Sequence, residues 1–179
     1  VLMFFSFSVP VLSPFAEFDF SALPELIGGF ILGPIGAIEI IVVKIGLKLL
    51  FKGSSSLLTG EAMNLILSLA YVLPALFYYR KHRTKKGAII GLALGTVISV
   101  IVSIFTNIYV IFPIYIKLYG MNWEGILEMC SAVNPWITSI PTMVAFSIVP
   151  FNLISRVVTS LITLLVYKKL SIPMKKFAN

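Results

Sequence analysis

The amino-acid sequence predicts an all-α membrane protein, a six-helix transmembrane bundle whose first helix is truncated. Three observations predict it. The chain is 59% hydrophobic and 12% charged, where soluble domains carry about 45–50% and about 25%. Its mean hydropathy of +1.03 leaves too little polar surface to clothe a water-soluble globule. Its cations stand in clusters between and after apolar runs: Arg80-Lys81-His82-Arg83-Thr84-Lys85-Lys86, Lys168-Lys169 and Lys175-Lys176. That is the positive-inside signature of membrane topology. A nucleic-acid binder of the same net charge, +7, would interleave cations with aromatics along one face. Nucleic acid is therefore excluded as a partner, and the lipid bilayer takes its place. Residues 1–179 form a single domain.

A spanning helix needs roughly 20 apolar residues. Val1 to Ser8 is apolar but shorter, and reads as the outer end of a first helix; a signal-peptide remnant is the alternative, without a basic start or a cleavage site. Val9 to Phe20 is a loop, broken by Pro10 and Pro14 and rich in aromatics: Phe15, Phe18 and Phe20. Ser21 is placed to cap a short second helix, Ala22 to Leu32, with Pro24 and Glu25 in its first turn. Gly33-Pro34 ends it. A third helix runs from Ile35 to about Phe51, and Gly53 to Ser56 is a turn. The fourth runs from about Glu61 to Tyr79 and the fifth from Lys86 to about Tyr115. A semi-polar connection follows, with Trp123, Glu124, Glu128, Asn134 and Trp136 at headgroup level. The last apolar run, Ile137 to Leu170, is too long for one crossing. Pro141 and Pro150 divide it into an outer re-entrant or interfacial helix and a spanning helix from about Pro150.

Placing the 80–86 cluster and the C-terminal lysines in the cytoplasm orients every helix and puts both termini inside. The exceptions are Lys44, Lys48 and Lys52, near the outer end of the third helix, which either snorkel to the headgroups or face a wet cavity. Glu39 has Lys44 too far along the helix to be a good partner.

The function classes narrow quickly. A P-loop, HExxH and GxSxG are all absent, so the chain is not an enzyme of those kinds and does not hydrolyse ATP itself. The single Cys130 allows no internal disulfide and has no metal-ligand spacing. His82 belongs to the basic loop, and neither a metal nor a cofactor is indicated. Intramembrane polar residues, being expensive, are the candidate site. Glu61 and Asn64 share a face at the outer start of the fourth helix. Asn107 lies toward the outer end of the fifth. Asn152, Ser155 and Arg156 follow Pro150 in the sixth. Three helices thus present amide or charged groups at similar depth, suited to an uncharged, hydroxyl-rich ligand with an aromatic ring. Structural roles compete: Glu61 as a helix cap, Asn64 as an interhelical hydrogen bond, and the loop phenylalanines as headgroup anchors.

Several segments resemble one family in order along nearly the whole chain. Phe18 to Pro34 (FDFSALPELIGGFILGP), Thr59-Gly60-Glu61 with Asn64, Asn107-Ile108-Tyr109 ahead of Pro113 and Tyr115, and Pro150-Phe151-Asn152-Leu153-Ile154 resemble riboflavin-specific S components of energy-coupling-factor (ECF) transporters. The resemblance implies a multi-pass subunit of the prokaryotic plasma membrane that captures riboflavin from outside, without a cofactor of its own. Its partners would be a transmembrane coupling protein and two ATP-binding-cassette ATPases. The first outer loop, here Pro10 to Phe20 with Phe15 and Phe18, would close over the vitamin. The chain departs from the pattern at Ser155, where members commonly carry lysine, with Arg156 beside it but turned by about 100° around the helix. The alanine motif by which such subunits dock belongs to helix one, outside this chain. Gly28, Gly29, Gly33 and Gly36 permit close helix approach in docking or in internal packing. Alternatives are an S component for thiamine, folate or biotin, or a non-transport membrane scaffold.

Overall fold

The computed structural model describes residues 7–8, 17–18, 20–54, 58–120 and 122–176. Apolar runs become helices because backbone groups in lipid can be satisfied only within a helix or a closed barrel. In chain order these are α1 (Ala22–Lys52), α2 (Thr59–Lys81), α3 (Lys85–Thr106), α4 (Phe112–Tyr119), α5 (Trp123–Val133), α6 (Ile140–Met143) and α7 (Val149–Lys176). A π-helical turn, Asn107–Ile111, joins α3 to α4, and a second, Val144–Ile148, joins α6 to α7. Four runs are long and apolar enough to cross a membrane: Ala22–Lys52, Thr59–Lys81, Lys85–Leu118 and Ile140–Val166. The protein is an all-helical membrane bundle in which α1, α2, α3 and α7 close a ring.

The element α1 is not one rod. Gly33 adopts φ 86°, ψ −175°, a region open essentially only to glycine, and Pro34 follows it. Beyond this break the chain turns back on itself. The Glu25 carboxylate pairs with the Lys44 ammonium, although on a straight helix the two would stand about 28 Å apart. Closer to the turn, a Cβ on Gly28 or Gly29 would collide with Ile40 or come to 3.0 Å from the Ala37 side chain. The arms 22–32 and 34–52 are therefore an antiparallel hairpin, as the break expected at Gly33-Pro34 requires. Its tip lies toward the end of α2, where Phe30 meets the Tyr79 ring edge to face at 4.7 Å.

Four expectations need correction. Phe7–Ser8 is not helical; it pairs antiparallel with Glu17–Phe18, Phe7 opposite Phe18. The rest of that first stretch, and Pro10, Pro14 and Phe15 of the loop, lie outside the described residues. Ser21 does not cap α1: its backbone is already helical and its hydroxyl accepts from Lys44 at 3.2 Å. The connection after α4 contains a helix, α5, too short to span. Asn122 caps it by accepting from the Gly125 N–H at 2.7 Å, and Ile126 and Cys130 are buried beneath it. Burial pushes the Cys130 thiol up to about 11. Finally, Pro150 does not start the last helix. Helix begins at Ile140, where Ser139 and Thr142 form a capping box, and it runs through Pro150 without a break. The π turn just upstream re-spaces the backbone hydrogen bonds where proline supplies no N–H.

Two lysines that sequence alone left either at the headgroups or in a wet cavity are paired. Lys44 holds Glu25, and Lys48 holds Glu61 at 2.8 Å. Lys52 is exposed, and Glu39 is exposed on the outer side of the hairpin. Between α2 and α3 the packing relies on glycine. A Cβ on Gly91 would come to 2.5 Å from the Ala75 carbonyl oxygen, and one on Gly95 would strike that of Tyr71. These helices touch backbone to backbone, the small-residue packing expected where lipid supplies no hydrophobic drive.

Two outcomes follow for thermal unfolding of the purified protein in detergent. Gly33→Ala should destabilise by about 1–3 kcal/mol through backbone strain alone, since nothing lies within 4 Å of the new methyl group. An unchanged midpoint would mean that the turn does not hold Gly33 in this conformation. Lys44→Met should cost about 3–5 kcal/mol by stranding Glu25, whereas Glu25→Leu/Lys44→Met should recover most of that loss. Equal loss in the single and double variants would show that the pair does not act as a unit.

Candidate functional site

Three contacts set the register of the helices that carry the predicted site. The Ser99 hydroxyl donates to the Leu67 carbonyl at 3.5 Å, and Gly95 and Gly91 lie against the Tyr71 and Ala75 carbonyls in turn. These steps of four residues, opposite in direction, make α2 and α3 antiparallel. Arg156 Nε donates to the Ser99 hydroxyl at 3.2 Å, which sets α7 against both. One turn beyond this level, away from the 80–86 cluster, stand Asn64 on α2, Ser103 on α3 and Asn152 on α7. Asn107 stands a further turn out, near the level of Glu61.

Both asparagines continue buried faces. Asn107 extends the series Gly87, Gly91, Gly95, Ser99, Ser103, all buried. Asn152 is 7% exposed and shares its face with buried Thr159 and Thr163. Each donates its amide nitrogen to the carbonyl one turn back in its own helix: Asn107 Nδ2 to Ser103 at 2.7 Å and Asn152 Nδ2 to Ile148 at 2.9 Å. The amide oxygens remain available as acceptors. Asn107 opens one π turn and Asn152 bonds to the last residue of the other, irregularities that concentrate at functional positions.

Arg156 lies over the Tyr71 ring, 4.9 Å from its centroid. The Tyr71 hydroxyl donates to the Arg156 carbonyl at 3.1 Å and meets Ser160 Oγ at 2.7 Å. Arg156 and Ser155 are both half-buried. Glu61 is 3% exposed and takes Lys48 and the Ser54 hydroxyl, each at 2.8 Å. Asn64 Oδ1 accepts from Lys44. Phe18 is buried, edge to face with Phe20 at 5.3 Å. The predicted residues on α2, α3 and α7 thus share one end of the bundle, while Phe15 lies outside the described residues.

Reasoning from sequence missed Glu25, Lys44 and Ser68, which join Asn64 in one cluster, and Tyr71, under Arg156. The missed signal was the pair of charges Glu25 and Lys44 inside apolar runs, where each needs a partner.

Known proteins agree with this architecture. The description "ECF transporter, substrate-specific component" matches residues 1–167. The riboflavin transporter RibU of Staphylococcus aureus (strain TCH60) is 31% identical over 171 residues, covering 96% of this chain and 83% of that protein. The riboflavin transporter FmnP of Bacillus subtilis (strain 168) is 29% identical, over 95% of this chain and 84% of its own length. A solved structure of the S component of a bacterial ECF transporter superposes with a TM-score of 0.73 at 28% identity, covering 97% of this chain and 89% of that one. These relatives are transporter components, not enzymes. The chain belongs to the family of substrate-specific components of ECF transporters.

Proposed function

We propose that this chain captures riboflavin at the outer side of a prokaryotic plasma membrane and delivers it inward with a separate transmembrane coupling protein and two ATP-binding-cassette ATPases. The observation that carries the reading is the convergence of Asn64, Asn107 and Asn152, from three helices, at one end of the bundle. The relatives named as riboflavin transporters support the choice of vitamin. Asn107 and Asn152 contact the ligand directly through their amide oxygens, with Glu61, Asn64, Ser155 and Arg156 around them and Phe15 and Phe18 covering the ring. Buried carboxylates here are paired with lysine, which favours a neutral ligand over a cationic one.

The six-helix topology with both termini cytoplasmic belongs to the same proposal. Five of its helices are the two arms of α1, then α2, the run Lys85–Leu118 and the run Ile140–Val166; the expected first helix lies outside the described residues. An S component for thiamine, folate or biotin is the second reading, and colour separates the two. Flavin absorbs in the blue and fluoresces, so protein purified with its ligand should be yellow and ligand-free protein should quench added riboflavin. Colourless protein that leaves riboflavin fluorescence unchanged would overturn the assignment. Asn107→Ala and Asn152→Ala should each weaken riboflavin binding by about 1–3 kcal/mol, because a buried ligand group loses its partner. Fluorescence titration checks this, and unchanged affinity in both variants would remove the site.

A further inference from the structure

Glu25 and Glu61 face the interior of the bundle, and each holds a lysine. Glu39 does neither. It is exposed on the second arm of α1 and makes no hydrogen bond or ion pair among the described residues. Its depth follows from its own helix. Lys44, five residues along the same arm, reaches Asn64 and Ser68 of α2. Glu39 therefore lies about 7.5 Å closer to the hairpin tip, level with the middle of α2. One turn to either side of it, Ile35, Val42 and Val43 are exposed aliphatics. A carboxylate amid such a lipid-facing surface is expensive, and intramembrane charges almost always meet a partner or a wet cavity.

A second feature shares this face. Gly46 follows Glu39 by two turns and stands within about 20° of it around the helix. Gly28, Gly29, Gly91 and Gly95 are demanded by their neighbours, and Gly33 by its backbone. Gly46 has neither reason: nothing lies within 4 Å of a Cβ built on it, and its backbone is ordinary helix. Glycine weakens a helix interior, and the described part of the bundle gains nothing from it here. What a bare backbone permits is the close approach of another helix.

The chemistry of the occupant is constrained. Lipid tails offer no donor, while headgroups and water-soluble proteins do not reach mid-membrane. A second copy in the same membrane would set carboxylate against carboxylate, because the exposed cations among the described residues stand at the two ends. Lys52 and Lys117 are at one end, and the 80–86 cluster is at the other. An apolar helix with one arginine or lysine fits: its cation completes Glu39 through charge-assisted hydrogen bonds, and its backbone approaches at Gly46. We propose that Glu39 and Gly46 mark a docking face for a transmembrane helix that carries a cation at mid-membrane depth, and that this helix belongs to the coupling protein.

This rests on the transport reading above, and its test separates the two. The full chain is co-expressed with the tagged coupling protein and the ATPases of the same organism, and the amount that co-purifies in detergent is measured. Glu39→Leu should lower it about tenfold or more, as loss of one partner from a buried charge pair does. Gly46→Leu should lower it about threefold or more by holding the helices apart. Riboflavin titration and thermal unfolding of each variant alone should match the wild type, because neither side chain serves the interior. Undiminished co-purification of Glu39→Leu would overturn the proposal. So would a lower unfolding midpoint for that variant alone, since Glu39 would then have a partner within its own chain. A wild-type dimer that Glu39→Leu converts to monomer would give the face to a second copy and overturn it too. Wild-type protein that binds riboflavin yet never co-purifies would remove the coupling protein and the docking face together. Co-purification without riboflavin binding would sink the vitamin instead, and Glu39→Leu would still decide the docking face.

Discussion

The buried pair between Glu25 and Lys44 is the constraint on which the architecture turns. Neither charge is tolerable alone in the apolar interior, and each lies on a different arm of one continuous stretch of chain. Bringing them together requires the full reversal at Gly33. The reversal in turn seats Gly28 and Gly29 against the returning arm and places Phe30 beside Tyr79. Lys44 then reaches across to Asn64 and Ser68, so α2 is held to the hairpin by polar contacts as well as by Leu26, Val72 and Leu76 of the core. A buried ion pair contributes little net stability against an apolar isostere. Its effect here is specific: only one folding of the hairpin, and one rotation of α2, satisfies it.

The other half of the bundle is organised by the absence of side chains. Gly91 and Gly95 bring α3 onto the α2 backbone in a register where a Cβ at either position would strike an α2 carbonyl oxygen. That register carries Ser99 to the Leu67 carbonyl, and Ser99 receives Arg156 from α7. Arg156 in turn covers the ring of Tyr71, whose hydroxyl returns to α7. A closed circuit of α2, α3 and α7 results, and the polar groups of its next turn outward stand at a fixed height. Asn152 and Asn107 gain their place from this scaffold, and their amide nitrogens are held by their own helices. Side chains tethered in this way lose little further freedom on meeting a ligand, which is the advantage of a pre-organised site.

How far the fold was legible differs element by element. Hydropathy and basic clusters exposed α2 to within two residues at each end and the start of α3 to within one, because charge or turn residues bound those ends; the expected fifth helix, running to about Tyr115, is α3, a π turn and part of α4. The hairpin was visible at Gly33-Pro34 as a break between two helices of opposite direction; the Glu25–Lys44 contact that closes it was not, since no local pattern displays it. Helix α5 was read as a connection because eleven residues fall short of a span, although Asn122 and the Ile126–Cys130 spacing marked a capped amphipathic helix. Pro150 was read as a start because proline usually breaks helices, and the π turn that accommodates it has no simple sequence signal. For the candidate site, the cost of intramembrane polarity singled out Asn152, which is buried, and Asn107, which is half-buried, and placed Glu61 and Asn64 at the same end. It passed over the lysine partners of both, since pairing across helices is a property of packing.

Charge bookkeeping in the interior bears on what kind of ligand such a bundle can carry. Glu25 with Lys44 and Glu61 with Lys48 each sum to zero, and Arg156 rests on an aromatic face. A ligand bound as proposed would meet amide oxygens, hydroxyls and internally compensated charges, with no isolated buried carboxylate among the described residues to attract a cation. Selectivity in that setting comes from leaving buried groups unpaired when the wrong molecule binds, which discriminates more strongly than shape alone. A neutral molecule rich in hydroxyl and imide groups can satisfy many of these positions at once, and it can leave again without separating an ion pair. For a subunit proposed to bind on one side and release on the other, recognition through many modest hydrogen bonds is easier to reverse than recognition through one strong charge.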